Sequence, residues 1–261
     1  MNWLDQWLVL SVNRHLADRW PTLDALLGVV ADSELLKGGL FVALFWYLWF
    51  RARPRQNDTR AHVLATLAGA FAAVLVARSL ALLLPFRLRP YGALGPGFLI
   101  PGGFPPDAIE RWSSFPSDHA ALFFGFATGI AGLARGLGLG AALYAALVIA
   151  WPRFYLGLHW ASDLAAGALI GVAVVQLAVT AAPVRRACRT LLALGERRPG
   201  PFYALLSLVM FEVGTVFDSV RAFGRLALRA YARAGPTAPR LALAVAALAL
   251  AAAALAALAV R

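Results

Sequence analysis

The sequence predicts an all-α membrane protein: a polytopic bundle of about six transmembrane helices, with additional interfacial helices. Hydrophobic residues make up 61% of the 261 residues and charged residues only 14%, whereas soluble domains carry roughly 25% charged residues. Several apolar runs approach the length of about 20 residues that a spanning helix needs. Arg-rich segments separate these runs, and the formal net charge is +11. Such a surplus is typical of cytoplasmic loops that contact anionic lipid head groups.

The apolar runs predict spans at approximately residues 36–50, 61–84, 116–133, 140–151, 160–182 and 239–260. Residues 1–35 mix Trp, Leu and charged residues at helical spacing, which predicts an interfacial start. The run 202–217 contains Glu212 and is expected to dip into the interface without crossing it.

Residues 199–238 carry an Arg stripe at helical spacing, which predicts a basic amphipathic helix on the cytoplasmic surface. The stripe consists of Arg221, Arg225, Arg229 and Arg233. We therefore expect two units: a membrane-embedded core at 1–183, and a basic cytoplasmic segment with a final transmembrane helix at 184–261.

Basic loops at 51–60 and 185–198 are expected to face the cytoplasm, following the positive-inside rule. The Gly- and Pro-rich loop at 85–115 and the turn at 152–159 then lie together on the opposite side. Nucleic-acid binding is not expected, because the Arg residues lie between apolar spans and form no basic domain of their own.

The third predicted span begins with a polar cluster at Pro116, Ser117, Asp118 and His119. Pro suits a first helical turn and Ser caps a helix, so an N-terminus that can bind an anion is predicted here. His119 would lie in the first turn, where it can exchange a proton near neutral pH. The alternative is a capped helix with an interfacial histidine.

His159 and Asp163 are four residues apart, so they share one face of a helix. A carboxylate beside an imidazole fixes its tautomer, and an ionisable group inside a membrane helix is usually functional. Arg153 precedes them, and Gly157 allows a bend that brings all three to one pocket. The alternative is a structural His–Asp pair.

Arg89, and with it Arg87, presents planar guanidinium groups suited to phosphate oxygens. Arg residues that snorkel beside head groups are the alternative. Together the clusters predict phosphoryl transfer: His159 attacks phosphorus, Asp163 orients it, and His119 protonates the leaving oxygen and activates water. Phosphate would be bound by Arg89, Arg153, Ser117 and Asp118, the last through its backbone N–H. No cofactor or metal is expected, because the carboxylates are not clustered and no Cys/His array exists.

These residues resemble the motifs of the type-2 phosphatidic acid phosphatase superfamily, which is related to vanadium haloperoxidases. Arg89-Pro90 matches the end of its first motif; Pro116, Ser117 and His119 match the second; Arg153, His159 and Asp163 match the third. Three positions depart from the pattern. Leu82 stands in place of the family Lys, Asp118 in place of a Gly, and Pro152 in place of a Ser. Either Arg78 or Arg87 could substitute for the missing lysine.

The resemblance implies a metal-independent lipid phosphatase in the cell membrane, with a phosphohistidine intermediate and an active site on the non-cytoplasmic face. Pro-Ser-Asp-His is similar to some bacterial undecaprenyl-diphosphate phosphatases, which favours that substrate. A phosphatidylglycerol phosphate, phosphatidic acid or lipid A phosphate remains an alternative, as does a lipid phosphotransferase. A non-catalytic lipid-binding or transport protein is disfavoured by the intact His159–Asp163 pair and His119.

Overall fold

The computed structural model describes residues 2–51, 54–103 and 112–216, and these residues form helices without any strand. The helices are, in chain order, α1 (Trp3–Leu16), α2 (Pro21–Asp32), α3 (Leu40–Phe50), α4 (Gln56–Leu83), α5 (Pro90–Leu94), α6 (Asp118–Leu133), α7 (Arg135–Tyr144), α8 (Trp151–Tyr155), α9 (Ala161–Thr180), α10 (Ala182–Arg197) and α11 (Pro199–Gly214). A π-helical segment, Leu35–Gly39, precedes α3, and another, Ala145–Ala150, joins α7 to α8.

Three helical stretches of the described residues are long and apolar enough to cross a membrane: Gln56–Leu83, Arg135–Tyr155 and Ala161–Thr180. Leu35–Phe50 and Pro199–Gly214 are shorter apolar helices. The expected all-helical architecture with several apolar helices is therefore confirmed. The predicted span at 239–260 and the Arg stripe at 221–233 lie outside the described residues.

The centre of the bundle is formed by α4, α6 and α9, which pack against one another through small residues. A Cβ atom at Gly171 of α9 would lie 2.1 Å from the carbonyl oxygen of Ala121, and one at Gly167 would lie 2.2 Å from that of Ser117. Glycine at these positions lets two helix backbones approach closely, as is common in membrane helices. The same contact fixes the beginning of α6 against α9.

Gly171→Ala is expected to lower the thermal unfolding midpoint in detergent by about 5 °C, because a methyl group must displace the α6 backbone. The matched control is Gly140→Ala on α7, where an added Cβ meets no atom within 4 Å. That substitution should leave the midpoint unchanged or raise it slightly, since Ala favours a helix. Equal midpoints for the two variants would contradict the close packing of α6 and α9.

Side-chain contacts join the segment after Phe50 to α10 at one end of the bundle. Arg189 Nη2 lies 2.9 Å from Asp58 Oδ1, and Asn57 Nδ2 donates to Glu196 Oε1 at 2.8 Å. The two basic segments that the sequence assigned to one side therefore lie together, and we call this the basic end. The end of α4, the start of α6 and the turn between α8 and α9 lie opposite, at what we call the site end.

The fourth predicted span, at residues 140–151, belongs to a longer helical stretch in the structure. Helical structure continues from Arg135 to Tyr155, so Arg153 lies in a last helical turn and not in the loop. Pro152 suggested an earlier end because it lacks an N–H donor. The π-helical segment immediately before α8 widens the turn and accommodates this proline.

The loop expected at 85–115 is partly ordered by contact with α1. It contains α5, and the Asn13 side chain donates to the Leu99 carbonyl at 2.7 Å and accepts from the Leu99 N–H at 3.0 Å. The expected interfacial start consists of α1 and α2, and the buried face of α1 carries Asp5, Val9 and Asn13. Residues 104–111 of the loop lie outside the described residues.

The apolar run after α10 forms α11, which runs antiparallel to α3. The Trp49 indole N–H donates to the Tyr203 hydroxyl at 3.3 Å, whereas at the far end a Cβ on Gly38 would lie 2.3 Å from the Gly214 carbonyl oxygen. Sixteen helical residues extend about 24 Å, which is most of a hydrocarbon core of roughly 30 Å. This helix is shorter than the three stretches of spanning length, and its expected dip into the interface stays a prediction.

Candidate active site

Three chain segments are joined by backbone hydrogen bonds at the site end. The Ser114 N–H donates to the Arg87 carbonyl at 2.9 Å, and the Tyr91 N–H donates to the Gly157 carbonyl at 3.3 Å. The Trp160 indole donates to the Leu88 carbonyl at 2.8 Å. The loop after α4, the approach to α6 and the turn before α9 thus form one framework, although they are far apart in sequence.

The start of α6 is capped and anchored as the sequence predicts. Ser117 is fully buried, and its hydroxyl accepts from the Ala120 N–H at 3.4 Å. Its own N–H donates to the Asp163 backbone carbonyl at 3.0 Å. The positive end of the α6 dipole is therefore held beside the third motif, as an anion site requires.

His159 is buried between three partners in the turn that precedes α9. Its Nδ1 lies 2.9 Å from the Ser114 carbonyl oxygen, and its Nε2 lies 3.4 Å from Arg89 Nη1. A carbonyl only accepts and a guanidinium only donates. These contacts assign the proton to Nδ1 and make Nε2 the acceptor that faces Arg89.

Asp163 was expected to fix the His159 tautomer, but the nearer acceptor is the Ser114 carbonyl. Asp163 Oδ2 lies 3.7 Å from His159 Nδ1, which is an electrostatic contact and longer than a hydrogen bond. Burial lowers the pKa of His159; Asp163 opposes this shift, and the Arg89 charge adds to it. The ring is therefore neutral, as a nucleophile must be, to a lower pH than an ordinary histidine.

Arg89 lies against His159 with one donor unused. Its Nη1 donates to the Leu158 carbonyl at 2.6 Å, whereas its buried Nε has no acceptor among the described residues. Buried donors are nearly always paired in proteins, so this orphan N–H is suited to an incoming phosphate oxygen. Burial lowers the pKa of Arg89, but a guanidinium remains charged.

Arg153 holds the turn that carries His159. Its Nη1 donates to the Ile149 carbonyl at 3.1 Å, and its own carbonyl accepts from the N–H groups of Leu158 at 2.9 Å and His159 at 3.2 Å. Gly157, with φ +70°, makes this tight turn.

Asp118 occupies the position of the family glycine, and its carboxylate contacts two neighbouring side chains. Asp118 Oδ1 lies 2.9 Å from His119 Nδ1, and Oδ2 forms an ion pair with Arg78. The first contact assigns a proton to His119 Nδ1. Any phosphate contact from Asp118 must come from its backbone N–H, because its carboxylate serves Arg78 and His119.

Arg87 does not replace the family lysine, because both ends of its guanidinium bind carboxylates. Nη1 lies 2.6 Å from Asp163 Oδ1, and Nη2 lies 2.6 Å from Asp5 Oδ2. Arg78 lies one turn before the exposed Leu82 on α4 and reaches Asp118. Arg78 and Arg87 are the two arginines proposed to substitute for the family lysine. Of these, Arg78 is the one that pairs with Asp118 at the start of α6.

Sequence reasoning missed Asp5, Ser114 and Ser162. Ser114 acts through a backbone carbonyl, which has no sequence signature, and Ser162 and Asp5 belong to no recognised motif. The available signal was a lone carboxylate in the apolar first helix. Among the described residues, no group of three or more His, Cys, Asp or Glu side chains is arranged to hold a metal ion.

Comparison with known proteins gives consistent matches. The PAP2 superfamily model matches residues 83–187. The Escherichia coli K12 protein described as "Putative undecaprenyl-diphosphatase YbjG" is 42% identical over 59 residues, which cover 23% of this chain and 30% of that protein. The matched stretch thus spans less than a third of the length of that relative.

The crystal structure of Aquifex aeolicus LpxE superposes with a TM-score of 0.50 and 25% sequence identity, covering 67% of this chain and 94% of that one. The family match covers Arg89, Ser117, His119, Arg153, His159 and Asp163, the residues that the structure brings to one end of the bundle. This chain therefore carries a PAP2 superfamily domain at residues 83–187.

Proposed function

We propose that this protein is a lipid phosphatase that removes phosphate from a membrane lipid phosphate or diphosphate, with undecaprenyl diphosphate as the preferred substrate. The observation that carries the proposal is the pairing of His159 Nε2 with a buried Arg89 whose Nε lacks an acceptor among the described residues. A nucleophile and an unused anion donor thus converge beside the N-terminus of a helix.

The first step forms a bond between His159 Nε2 and phosphorus. The bond between phosphorus and the lipid-side oxygen breaks, its electron pair leaves with that oxygen, and protonated His119 supplies the proton. Arg89, Arg153 and the N–H groups at the start of α6 stabilise the charge on the transferring phosphoryl group. Asp163, 3.7 Å from Nδ1, stabilises the positive ring of the phosphohistidine.

In the second step water attacks the phosphohistidine, and His119 takes its proton. The P–N bond breaks, its electron pair returns to His159 Nε2, and inorganic phosphate leaves. Arg78 neutralises Asp118, so that a carboxylate beside the site does not repel the substrate. His119 is held by the same carboxylate.

The name of the relative YbjG supports the choice of an undecaprenyl diphosphate substrate. Several apolar helices support a multi-pass protein of the cell membrane. With the basic end in the cytoplasm, the active site faces the opposite side, and anionic lipid head groups contact the basic end. Transfer of the phosphoryl group to an alcohol instead of water is the second candidate, because a phosphohistidine can serve either acceptor.

A phosphate-release panel on the purified full-length protein in detergent tests this proposal. We expect undecaprenyl diphosphate to give a higher kcat/KM than phosphatidic acid, phosphatidylglycerol phosphate or lipid A. Activity should survive EDTA and be blocked by vanadate, which mimics the phosphoryl group in its transition state. In H₂¹⁸O, hydrolysis should place one ¹⁸O atom in each released phosphate. Strict Mg²⁺ dependence, or no release from any lipid, would contradict the proposal.

A further inference from the structure

A buried cluster of charged groups lies behind the Asp163 carboxylate, on the side away from His159. Asp163 is fully buried, and its Oδ1 accepts from Arg87 Nη1 at 2.6 Å. Its Oδ2 accepts from the Trp160 N–H at 2.9 Å. Both oxygens are therefore fixed, and the orientation of the carboxylate toward His159 depends on Arg87.

Arg87 is itself held by Asp5 of α1. Asp5 Oδ2 lies 2.6 Å from Arg87 Nη2, and its Oδ1 accepts from the Ser162 N–H in the first turn of α9 at 3.0 Å. The Ser162 hydroxyl lies 2.5 Å from Asp5 Oδ2 and accepts from Arg87 Nη1 at 2.8 Å. Burial raises the pKa of Asp5, but the hydrogen bonds from Ser162 and the ion pair with Arg87 outweigh it and lower that pKa overall.

Aromatic rings restrict the same guanidinium. The Arg87 guanidinium carbon lies 5.5 Å from the centre of the Trp160 ring and 5.9 Å from that of Phe115. Asp5 is 3% exposed although it belongs to a helix whose Trp3 and Trp7 are largely exposed. A carboxylate is costly to bury unless it is paired, so this aspartate is expected to have a specific role.

We infer that Asp5 and Arg87 are positioning residues: Asp5 of α1 fixes Arg87, and Arg87 orients Asp163 toward His159. The inference deepens the proposed function and rests on it. Arg87 offsets one of the two negative charges of Asp5 and Asp163. It thereby keeps the Asp163 carboxylate in the same orientation when the His159 ring becomes positive during phosphoryl transfer.

The first arm of the test measures kcat and KM for lipid phosphate release in Asp5→Asn, Arg87→Gln and Arg87→Lys, beside the wild type and His159→Ala. We expect kcat to fall roughly tenfold in Asp5→Asn and 10- to 100-fold in Arg87→Gln, with KM within about twofold. Arg87→Lys should recover part of the loss. The matched control is Asp24→Asn. Asp24 is also buried, but its carboxylate accepts hydrogen bonds from the Tyr155 hydroxyl and the Asp18 N–H instead of pairing with Arg87.

The second arm is a double-mutant cycle with Asp163→Asn. If Asp5 acts through Asp163, Asp5→Asn should change the kcat of the Asp163→Asn enzyme by less than about twofold, because coupled residues are not additive. An equal tenfold loss in both backgrounds would overturn the inference. Should Asp5→Asn fail to fold, Ser162→Ala, which loses the hydroxyl but keeps both charges, goes through the same cycle with the same criterion.

The third arm is the acid limb of the kcat/KM profile, which reports His159 in the free enzyme. The charged groups around this ring are Asp163, Arg89 and Asp118, with Arg87 and Asp5 behind them. Loss of the Asp5 charge should move the limb to lower pH, and loss of the Arg87 charge should move it to higher pH, each by about half a unit. Shifts in the same direction, or none, would overturn the inference.

The three arms of the test distinguish the proposed phosphatase function from the positioning roles of Asp5 and Arg87. Phosphate release by the wild type and its loss in His159→Ala address the proposed function alone. A wild type that is inactive on every lipid would overturn the proposed function and, with it, the roles of Asp5 and Arg87. An active wild type with an additive cycle would overturn only the roles of Asp5 and Arg87.

Discussion

His159→Ala is expected to lower kcat for phosphate release by a factor on the order of 10⁴ or more, because no other group can form the covalent intermediate. The buried ring contacts Ser114, Arg89 and Asp163. Its Nε2 faces the Arg89 guanidinium, which is suited to bind a phosphate oxygen. Substrate affinity should change little, since Arg89 and the start of α6 remain.

Histidines outside the site provide the controls. His15 on α1 is exposed and contacts the Ser11 carbonyl, so His15→Ala should keep kcat within about twofold of the wild type. Binding of a labelled lipid phosphate to His159→Ala shows that the pocket is intact. Full turnover by a folded His159→Ala enzyme would remove the nucleophile assignment.

His119→Gln is expected to lower kcat/KM, which reports the steps up to phosphohistidine formation, 10²- to 10⁴-fold on a lipid monophosphate, because an alkoxide leaves poorly without a proton donor. The loss should shrink to about tenfold or less with an aryl phosphate whose phenol is acidic, since that leaving group departs without a proton. A lipid diphosphate should fall between the two.

The comparison of the three substrates separates chemistry from folding. Asp118→Asn, which removes the carboxylate beside His119 Nδ1, should show the same order of substrates with a smaller loss. An equal loss on all three would mean that His119 does not protonate the leaving group in the first step.

The sequence predicts the fold class and the active-site motifs well, since both depend on local patterns. Long apolar runs require helices in a bilayer. The spacing of His159 and Asp163 predicts that the two side chains approach each other, although His159 lies in the turn before α9 and not on a shared helix face. The all-helical architecture and the PAP2 superfamily resemblance are confirmed. The catalytic and phosphate-binding roles of the individual residues stay predictions.

Contacts between distant segments could not be predicted. Asp5 and Arg87 are 82 residues apart, and nothing in either segment indicates that they meet. The Ser114 carbonyl contacts His159 through backbone atoms, which every residue has. The fourth span is predicted to end at residue 151, because the π-helical segment that accompanies Pro152 has no clear sequence signal. The sequence thus predicts which residues react, and packing determines what orients them.

Direct detection of the covalent intermediate tests the central claim most sharply. The full-length His119→Gln enzyme is mixed with ³²P-labelled aryl phosphate, which should form the intermediate faster than water removes it, and is quenched in alkali. We predict an acid-labile, alkali-stable label on His159, and none in His119→Gln/His159→Asn. A label on a carboxylate, or on the variant without His159, or no label while phosphate is still released, would contradict the account.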